Sequence, residues 1–362
     1  MPYLEKIKLS DFRNYDFAQF QTGELISVVT GKNGAGKTSL LEAISLLTPG
    51  KGMRSASLNE LTKAGQQGWT IFAEIGGYKI GTGLEAGASK RLVKIDGELQ
   101  KGVNSLAAYV SCIWLTPQMD GVFLADSGER RRFFDRIIYN FDPEHASRVA
   151  VYENAMRERL KLLKDGMRDQ HWLNALEKRM VEYGTAIAAA RIEVIGFLQS
   201  AINSRPSLFP KADIEVKGKY EALMQSRPAL EVENIFLEDL FSSRSLDGNQ
   251  GRTNFGVHRT DFAVTNTAKN IAAEHSSTGE QKALLLSIIL ALANMLKIRK
   301  NRAPILLLDE VVAHLDEGRR EELFAEVKAT NSQTFITGTE NALFEGLEAA
   351  HFLVSEGQIK SA

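Results

Sequence analysis

Several things are scarce in this chain, and each scarcity excludes something. A single cysteine, Cys112, stands among 362 residues. That excludes an intramolecular disulfide and all-cysteine metal sites, and it suits a reducing compartment, so a cytoplasmic location is expected. Neither sign of charge is in excess: 44 Lys and Arg against 45 Asp and Glu leave a formal net charge of −1. No global positive field advertises a nucleic-acid partner, and any DNA binding must use a local patch. Long apolar runs are also missing. The most apolar stretch, Leu284 to Leu296, is flanked by Lys282 and Lys297 and is shorter than the roughly 18–20 residues of a membrane span. It reads as a buried core helix, and no membrane partner is expected. The opening residues Met-Pro-Tyr-Leu-Glu-Lys do not have the pattern of a signal peptide. Neither a low-complexity tract nor an internal repeat is evident.

What remains is an ordinary globular balance, 44% hydrophobic and 25% charged, in a length that suggests two or three domains. Its organising stretch is Gly31-Lys32-Asn33-Gly34-Ala35-Gly36-Lys37-Thr38, which fits G-x-x-x-x-G-K-[ST], the phosphate-binding P-loop. The context agrees. Leu25 to Thr30 reads as a buried strand, Ser39 to Leu47 as a helix, and Pro49-Gly50 as its stop. Glycines let the backbone wrap around phosphates with its N–H groups inward, and the helix adds its positive end. Lys37 is expected to reach the β- and γ-phosphates of ATP, and the Thr38 hydroxyl to ligate Mg²⁺. Arg13 and Asn14, in Asp11-Phe-Arg-Asn-Tyr15 close to the P-loop strand, read either as nucleotide contacts or as a solvated turn.

Further along, Lys51 to Ser57 is a basic, polar loop containing Lys51 and Arg54. Gly76-Gly77 and Asp96-Gly97 between alternating runs predict two hairpins over 69–101, an antiparallel layer beside the P-loop unit. Ser111 to Leu115 predicts a core strand, after which Gln118 is a candidate for the Mg²⁺ or the attacking water, or a plain loop amide. Arg130, Arg131 and Arg132 lead a cluster that suits phosphates, carboxylates or a partner surface, or is simply a solvated helix face. Residues 144–202 have helical periodicity broken at Gly166, which predicts an αα-hairpin. Asp213 to Lys217 predicts a strand and 219–243 further helices, while Ser242 to Thr253 reads as a loop.

A second set of motifs closes the chain. Pro304-Ile-Leu-Leu-Leu-Asp-Glu310 reads as a buried parallel strand with Asp309 at its carboxyl end, where α/β sheets bind ligands. Asp309 is expected to hold Mg²⁺ as a Walker B aspartate does, and Glu310 to act as general base. Ser277, Thr278, Gly279 and Glu280 combine capping-box spacing with an exposed helix N-terminus, which is an anion site. Since the chain already has one phosphate cradle, this second one suggests service to another protomer's ATP. Asp316 ends Val311-Val-Ala-His-Leu-Asp316, which resembles the D-loop of ABC ATPases.

P-loop, serine-glycine signature, Walker B with glutamate, and D-loop together resemble the ABC ATPase head. Within that class the chain resembles the RecF family. The supporting stretches are Asp11 to Tyr15, Gly31 to Glu42, Arg130-Arg-Arg-Phe-Phe-Asp135, Thr253-Asn-Phe-Gly-Val-His-Arg-Thr-Asp261, Ser276 to Lys282 and Leu306 to Arg320. The sequence departs from the family at Val257 (usually proline), Thr260 (usually aspartate) and Gln118 (commonly an acid). Gly338 or Thr339 stands where ABC ATPases place a switch histidine, which hints at slow hydrolysis.

The resemblance implies an α/β fold: an ABC-type P-loop head of mixed sheet plus antiparallel layer, with an inserted α-helical lobe. The head is expected from 1–135 and 253–362 and the arm from 136–252. The resemblance further implies a weak, DNA-stimulated ATPase. As an ATP-dependent homodimer it would clamp double-stranded DNA near single-strand gap junctions, in recombinational repair, replication restart and the SOS response. RecR with RecO, and indirectly RecA, are the implied partners. Arg130, Arg131, Arg132, Lys51 and Arg54 are candidates for the DNA surface. Competing readings are a transporter's nucleotide-binding subunit, a short SMC/Rad50-like head and a non-catalytic DNA-binding module. The inserted arm and the missing histidine argue against the first, the absence of very long coiled coils against the second, and intact Lys37, Asp309 and Glu310 against the third. No N-K-x-D segment supports a GTPase.

Overall fold

The computed structural model describes residues 3–166, 169–313 and 315–362. His314, within the D-loop-like stretch, and Met1-Pro2 of the opening residues lie outside the described residues. Strand β1 (Leu4–Phe12) buries alternate apolar residues and turns at Arg13-Asn14 into β2 (Tyr15–Gln21). Strand β3 (Ile26–Thr30) is buried at every position, as a strand covered on both faces must be. The P-loop follows, then α1 (Lys37–Ser45). The two predicted hairpins are β4 (Trp69–Ile75) with β5 (Tyr78–Leu84), and β6 (Leu92–Ile95) with β7 (Glu98–Leu99). Their turns have positive φ at Gly76, Gly77, Asp96 and Gly97. Strand β8 (Cys112–Leu115) is the predicted core strand.

Helix α2 (Ser127–Tyr139) is capped by Asp126, whose side chain accepts from the N–H groups of Gly128 and Glu129. Helices α3 (His145–Lys164) and α4 (Gln170–Ser204) flank Gly166 as the periodicity predicts. Next come β9 (Ala212–Lys217), α5 (Lys219–Met224), α6 (Ala229–Ser242) and α7 (Arg244–Gln250), then β10 (Asp261–Asn266) and β11 (Ile271–Ala272). The chain closes with α8 (Thr278–Lys300), β12 (Ile305–Leu308), α9 (Glu317–Thr330), β13 (Thr334–Gly338), β14 (Ala350–Ser355) and β15 (Gln358–Ser361).

These elements form two compact units, one of Met1–Asp120, Pro206–Phe209 and Leu285–Ala362, the other of Gly121–Arg205 and Pro210–Leu284. The first unit holds an antiparallel sheet in the order β2-β1-β4-β5-β6-β7 and a mixed sheet in the order β15-β14-β3-β13-β12-β8. One apolar core, including Leu40, Leu41 and Ile44 of α1, fills the space between them. The second unit packs α3, α4 and α6 around Tyr152, Met180 and Phe236 and carries the antiparallel sheet β11-β10-β9.

Three features differ from the sequence reading. The units divide at 120 and 285 rather than at 135 and 253. Phe134 of α2 stacks on Phe262 of β10 at 4.5 Å, and β10 pairs with β9, so both flanks of the expected arm belong with it. Residues 244–250 are helical rather than loop, because the buried Asp247 pairs with Arg159 at 2.6 Å and accepts from Asn254 N–H at 3.0 Å. That stabilisation is tertiary and leaves no local signal. Finally, α4 and α8 are both long and apolar enough, by length and composition, to cross a membrane. The uninterrupted run in the sequence is shorter than the helix that contains it. In α8, 83% of the apolar window is buried inside the protein, as in a core helix.

Candidate nucleotide-binding site

Parallel pairing of β3, β13 and β12 brings their carboxyl ends to one edge of the sheet. The P-loop leaves β3 there and Asp309 leaves β12, so sequence motifs far apart in the chain meet at one sheet edge. The loop can pass so close to its neighbours only as glycine. At Gly31 (φ +150°) a Cβ would fall 2.3 Å from the Val354 carbonyl oxygen, and at Gly36 (φ +120°) 2.6 Å from Asn14 Nδ2. Lys32, Asn33 and Gly34 are exposed, Ala35 is half-buried, and Lys37 is buried beneath them. Lys37 Nζ donates to the carbonyls of Gly31 (2.8 Å) and Lys32 (3.2 Å) and lies 3.8 Å from Glu310 Oε1.

Thr38 Oγ1 donates to Asp309 Oδ1 at 3.1 Å. Burial pushes the Asp309 carboxyl above its ordinary value, against hydrogen bonds from Thr337 and Thr38 that lower it. Glu310 follows in a left-handed conformation (φ +52°), its side chain partly exposed toward Lys37. A cleft of about 520 Å³ opens over Lys37, Thr38 and Glu310, lined also by Arg13, Asn14, Arg54, Glu60 and Thr62.

The turn between β1 and β2 buttresses this cleft. Asn14 Nδ2 donates to the Ala35 carbonyl and the Tyr15 hydroxyl to the Gly36 carbonyl, each at 2.9 Å. Arg13 pairs with the buried Glu42 of α1 and donates to the Glu60 carbonyl at 2.9 Å, while Arg54 stands 3.8 Å from Glu42. Asn14 thus holds the P-loop and Arg13 the helix that follows it, and both line the cleft.

The other predicted residues are placed as follows. Gln118 is exposed on the 3₁₀ turn Pro117–Met119 and is not among the residues that line the cleft. Asp316 caps α9 by accepting from Arg319 N–H at 2.9 Å. Ser277 and Thr278 are exposed at the start of α8 in the second unit. Ser277 N–H donates to Glu280 at 2.9 Å, the expected capping contact. The hydrogen bonds from Lys269 and Ser277 hold the Glu280 carboxyl down to about 2.

The arginine cluster is divided between interior and surface. Arg130 makes a two-pronged pair with Asp261 (2.8 and 2.7 Å) and Arg131 donates to the Thr260 carbonyl at 2.6 Å, so both are engaged within the second unit. Arg132 is 74% exposed, with Glu129 at 3.6 Å. Lys51 and Arg54 are exposed.

Sequence reasoning missed Tyr15, Glu42 and Thr337. A lone acid among the apolar residues of the helix, five after the P-loop lysine, is the signal that could have found Glu42. Tyr15 and Thr337 act through contacts that only the pairing of strands creates.

Fold and site together define an ABC-type P-loop ATPase head. A family model described as an AAA domain matches residues 6–170. The "DNA replication and repair protein RecF" of Rhizobium etli (strain CIAT 652) is 42% identical over 367 residues, covering 98% of each chain. That of Agrobacterium fabrum (strain C58 / ATCC 33970) is 43% identical over 368 residues, again with 98% of each covered. The chain belongs to the RecF family of DNA replication and repair proteins. Among solved structures, the recombination mediator protein RecF-ATPrS superposes with a TM-score of 0.87 at 23% identity, covering 99% of this chain and 98% of that one. The Smc head domain from Pyrococcus furiosus gives 0.56 at 16% identity, covering 100% and 96%. At these identities the likeness is one of fold.

Proposed function

We propose that the cleft binds ATP and that its slow, DNA-stimulated hydrolysis switches a homodimer clamped on double-stranded DNA near single-strand gaps. The observation that carries this reading is that Lys37, Thr38 and Glu310 line one cleft, with Asp309 bonded to Thr38 directly behind it. Loop N–H groups and Lys37 bind the phosphates. Glu310, partly exposed beside Lys37, takes the proton of the attacking water.

The Thr38 hydroxyl and the Asp309 carboxylate, 3.1 Å apart, are hard oxygen donors that fit Mg²⁺, an ion that needs only one or two carboxylates besides substrate phosphates. Among the described residues no group of three His, Cys, Asp or Glu forms an all-protein cage. When bound, Mg²⁺ neutralises charge on the β- and γ-phosphates.

Ser277 and Gly279 at the α8 N-terminus close on the γ-phosphate held by a second protomer, a reading supported by the exposure of Ser277 and the helix dipole. Closure brings the helical arms over DNA, and loss of the γ-phosphate reopens them, a ligand-driven population shift. RecR with RecO, and indirectly RecA, are the proposed partners, supported by a structural neighbour described within the RecFOR pathway. The role is gap repair, replication restart and the SOS response.

The test is sedimentation of the Glu310→Gln variant with ATP and gapped duplex DNA. A stable, DNA-retaining dimer is expected, and a monomer in ATP overturns the trans arrangement. In parallel, Lys37→Ala is expected to lose ATP affinity, and unchanged affinity removes the P-loop assignment.

A further inference from the structure

Asp309 and Glu310 are joined by a side chain that none of the motifs contains. Thr337 lies near the end of β13 and is fully buried. Pairing of Leu308 with Ile336 sets the register of β12 and β13, and one step further along each strand Thr337 comes beside Asp309. Its hydroxyl oxygen is 2.7 Å from Asp309 Oδ1 and 2.9 Å from the Glu310 backbone nitrogen. Chemistry fixes the direction of both bonds. An amide N–H can only donate, so the threonine oxygen accepts from Glu310, and its single proton goes to the Asp309 carboxylate. Glu310 needs this support, because a non-glycine residue in the left-handed region is held there only when its surroundings over-determine it.

We propose that Thr337 is a positioning residue for hydrolysis: its hydroxyl ties the backbone of Glu310 to the carboxylate of Asp309, holding the base in line with the phosphate site. The inference rests on the ATPase reading above. It predicts that loss of the hydroxyl affects the chemical step and spares nucleotide binding, since Thr337 is fully buried and keeps Thr38 and Lys37 untouched.

The test compares Thr337→Val with Thr337→Ser. Valine keeps the β-branched shape and leaves the Glu310 N–H without its acceptor, while serine keeps the hydroxyl. For Thr337→Val, kcat is expected to fall by about tenfold or more, with the dissociation constant of a fluorescent ATP analogue within about twofold of the parent. Sedimentation is expected to show an ATP-bound dimer that persists, as for Glu310→Gln. Thr337→Ser is expected to restore turnover, and Thr337→Ala replaces valine if that variant does not fold. Parental turnover in Thr337→Val, or a loss of nucleotide affinity that matches the loss of rate, overturns the inference. Glu310→Gln measured alongside separates the two levels. If it too hydrolyses ATP at the parental rate, the reading of Glu310 as the base is wrong. If it is inactive while Thr337→Val is not, only the role of Thr337 is wrong.

Discussion

Arg13 grips Glu42 with two nitrogens, Nε and a terminal nitrogen each 2.7 Å from a different carboxylate oxygen. Glu42 is completely buried, on the helix that starts at the P-loop lysine. The pair therefore fastens the β1–β2 turn to the helix whose N-terminus faces the cleft. Arg13→Ala leaves a buried carboxylate facing Arg54 at 3.8 Å. Breaking a pair of this kind costs about 3–5 kcal/mol when fully buried, and about 3 kcal/mol is expected here because Arg13 is partly exposed. Thermal unfolding with and without nucleotide measures it. Arg13→Lys is expected to recover little, since an ammonium cannot make the fork.

Arg130 and Arg132 are neighbours with opposite expectations. Arg130→Ala removes the two-pronged contact to Asp261, and its expected effect is a lower unfolding midpoint of the second unit. Arg132→Ala leaves stability within about 0.5 kcal/mol. If α2 lies on the DNA path, that variant lowers the salt slope of DNA binding by about one. A salt titration of gapped duplex binding with an unchanged slope takes α2 off that path.

His258 gives the second unit a pH dependence. Burial pushes its imidazole down to about 4, and both ring nitrogens are engaged: Nε2 lies 3.0 Å from the Thr253 carbonyl and Nδ1 2.8 Å from the Tyr152 hydroxyl. The contacts fit a neutral ring that donates from Nε2 and accepts at Nδ1. A folded pKa below the unfolded one means stability is fully present above the unfolded value of about 6.5 and is lost as pH falls toward about 4. The unfolding midpoint is expected to drop over that window. In His258→Phe it is expected to start lower at pH 7 and to change less. A parental profile as steep in the variant assigns the effect to other groups.

The parts of the site that could be read from sequence are contiguous. Gly31 to Thr38 and Leu306 to Glu310 each contain their own strand, turn and chemistry, so local pattern sufficed for both. The hairpins at Gly76-Gly77 and Asp96-Gly97 were legible for the same reason, since positive φ at those turns selects their residues. What escaped depends on partners distant in the chain. Arg130 looks like a free cation until Asp261 arrives 131 residues later. The helix at 244–250 depends on Arg159, and Thr337 acquires its role only through the β12–β13 register. Gln118 follows the core strand that its sequence predicts, but no periodicity reveals the 3₁₀ turn on which it stands.

Strand β3, which delivers the P-loop, is flanked by β13 and β14. This has a consequence for synthesis. At about 5–20 residues per second, the P-loop emerges long before its neighbours, and for most of translation it is a glycine loop on a strand with both edges open. Such an edge is a hazard for mispairing. Closing it requires contacts separated by some 300 residues of sequence, among the slowest a chain can make. ATP binding would then be one of the last properties the nascent chain acquires, and nucleotide retention on ribosome-bound chains would report that the distal strands have docked.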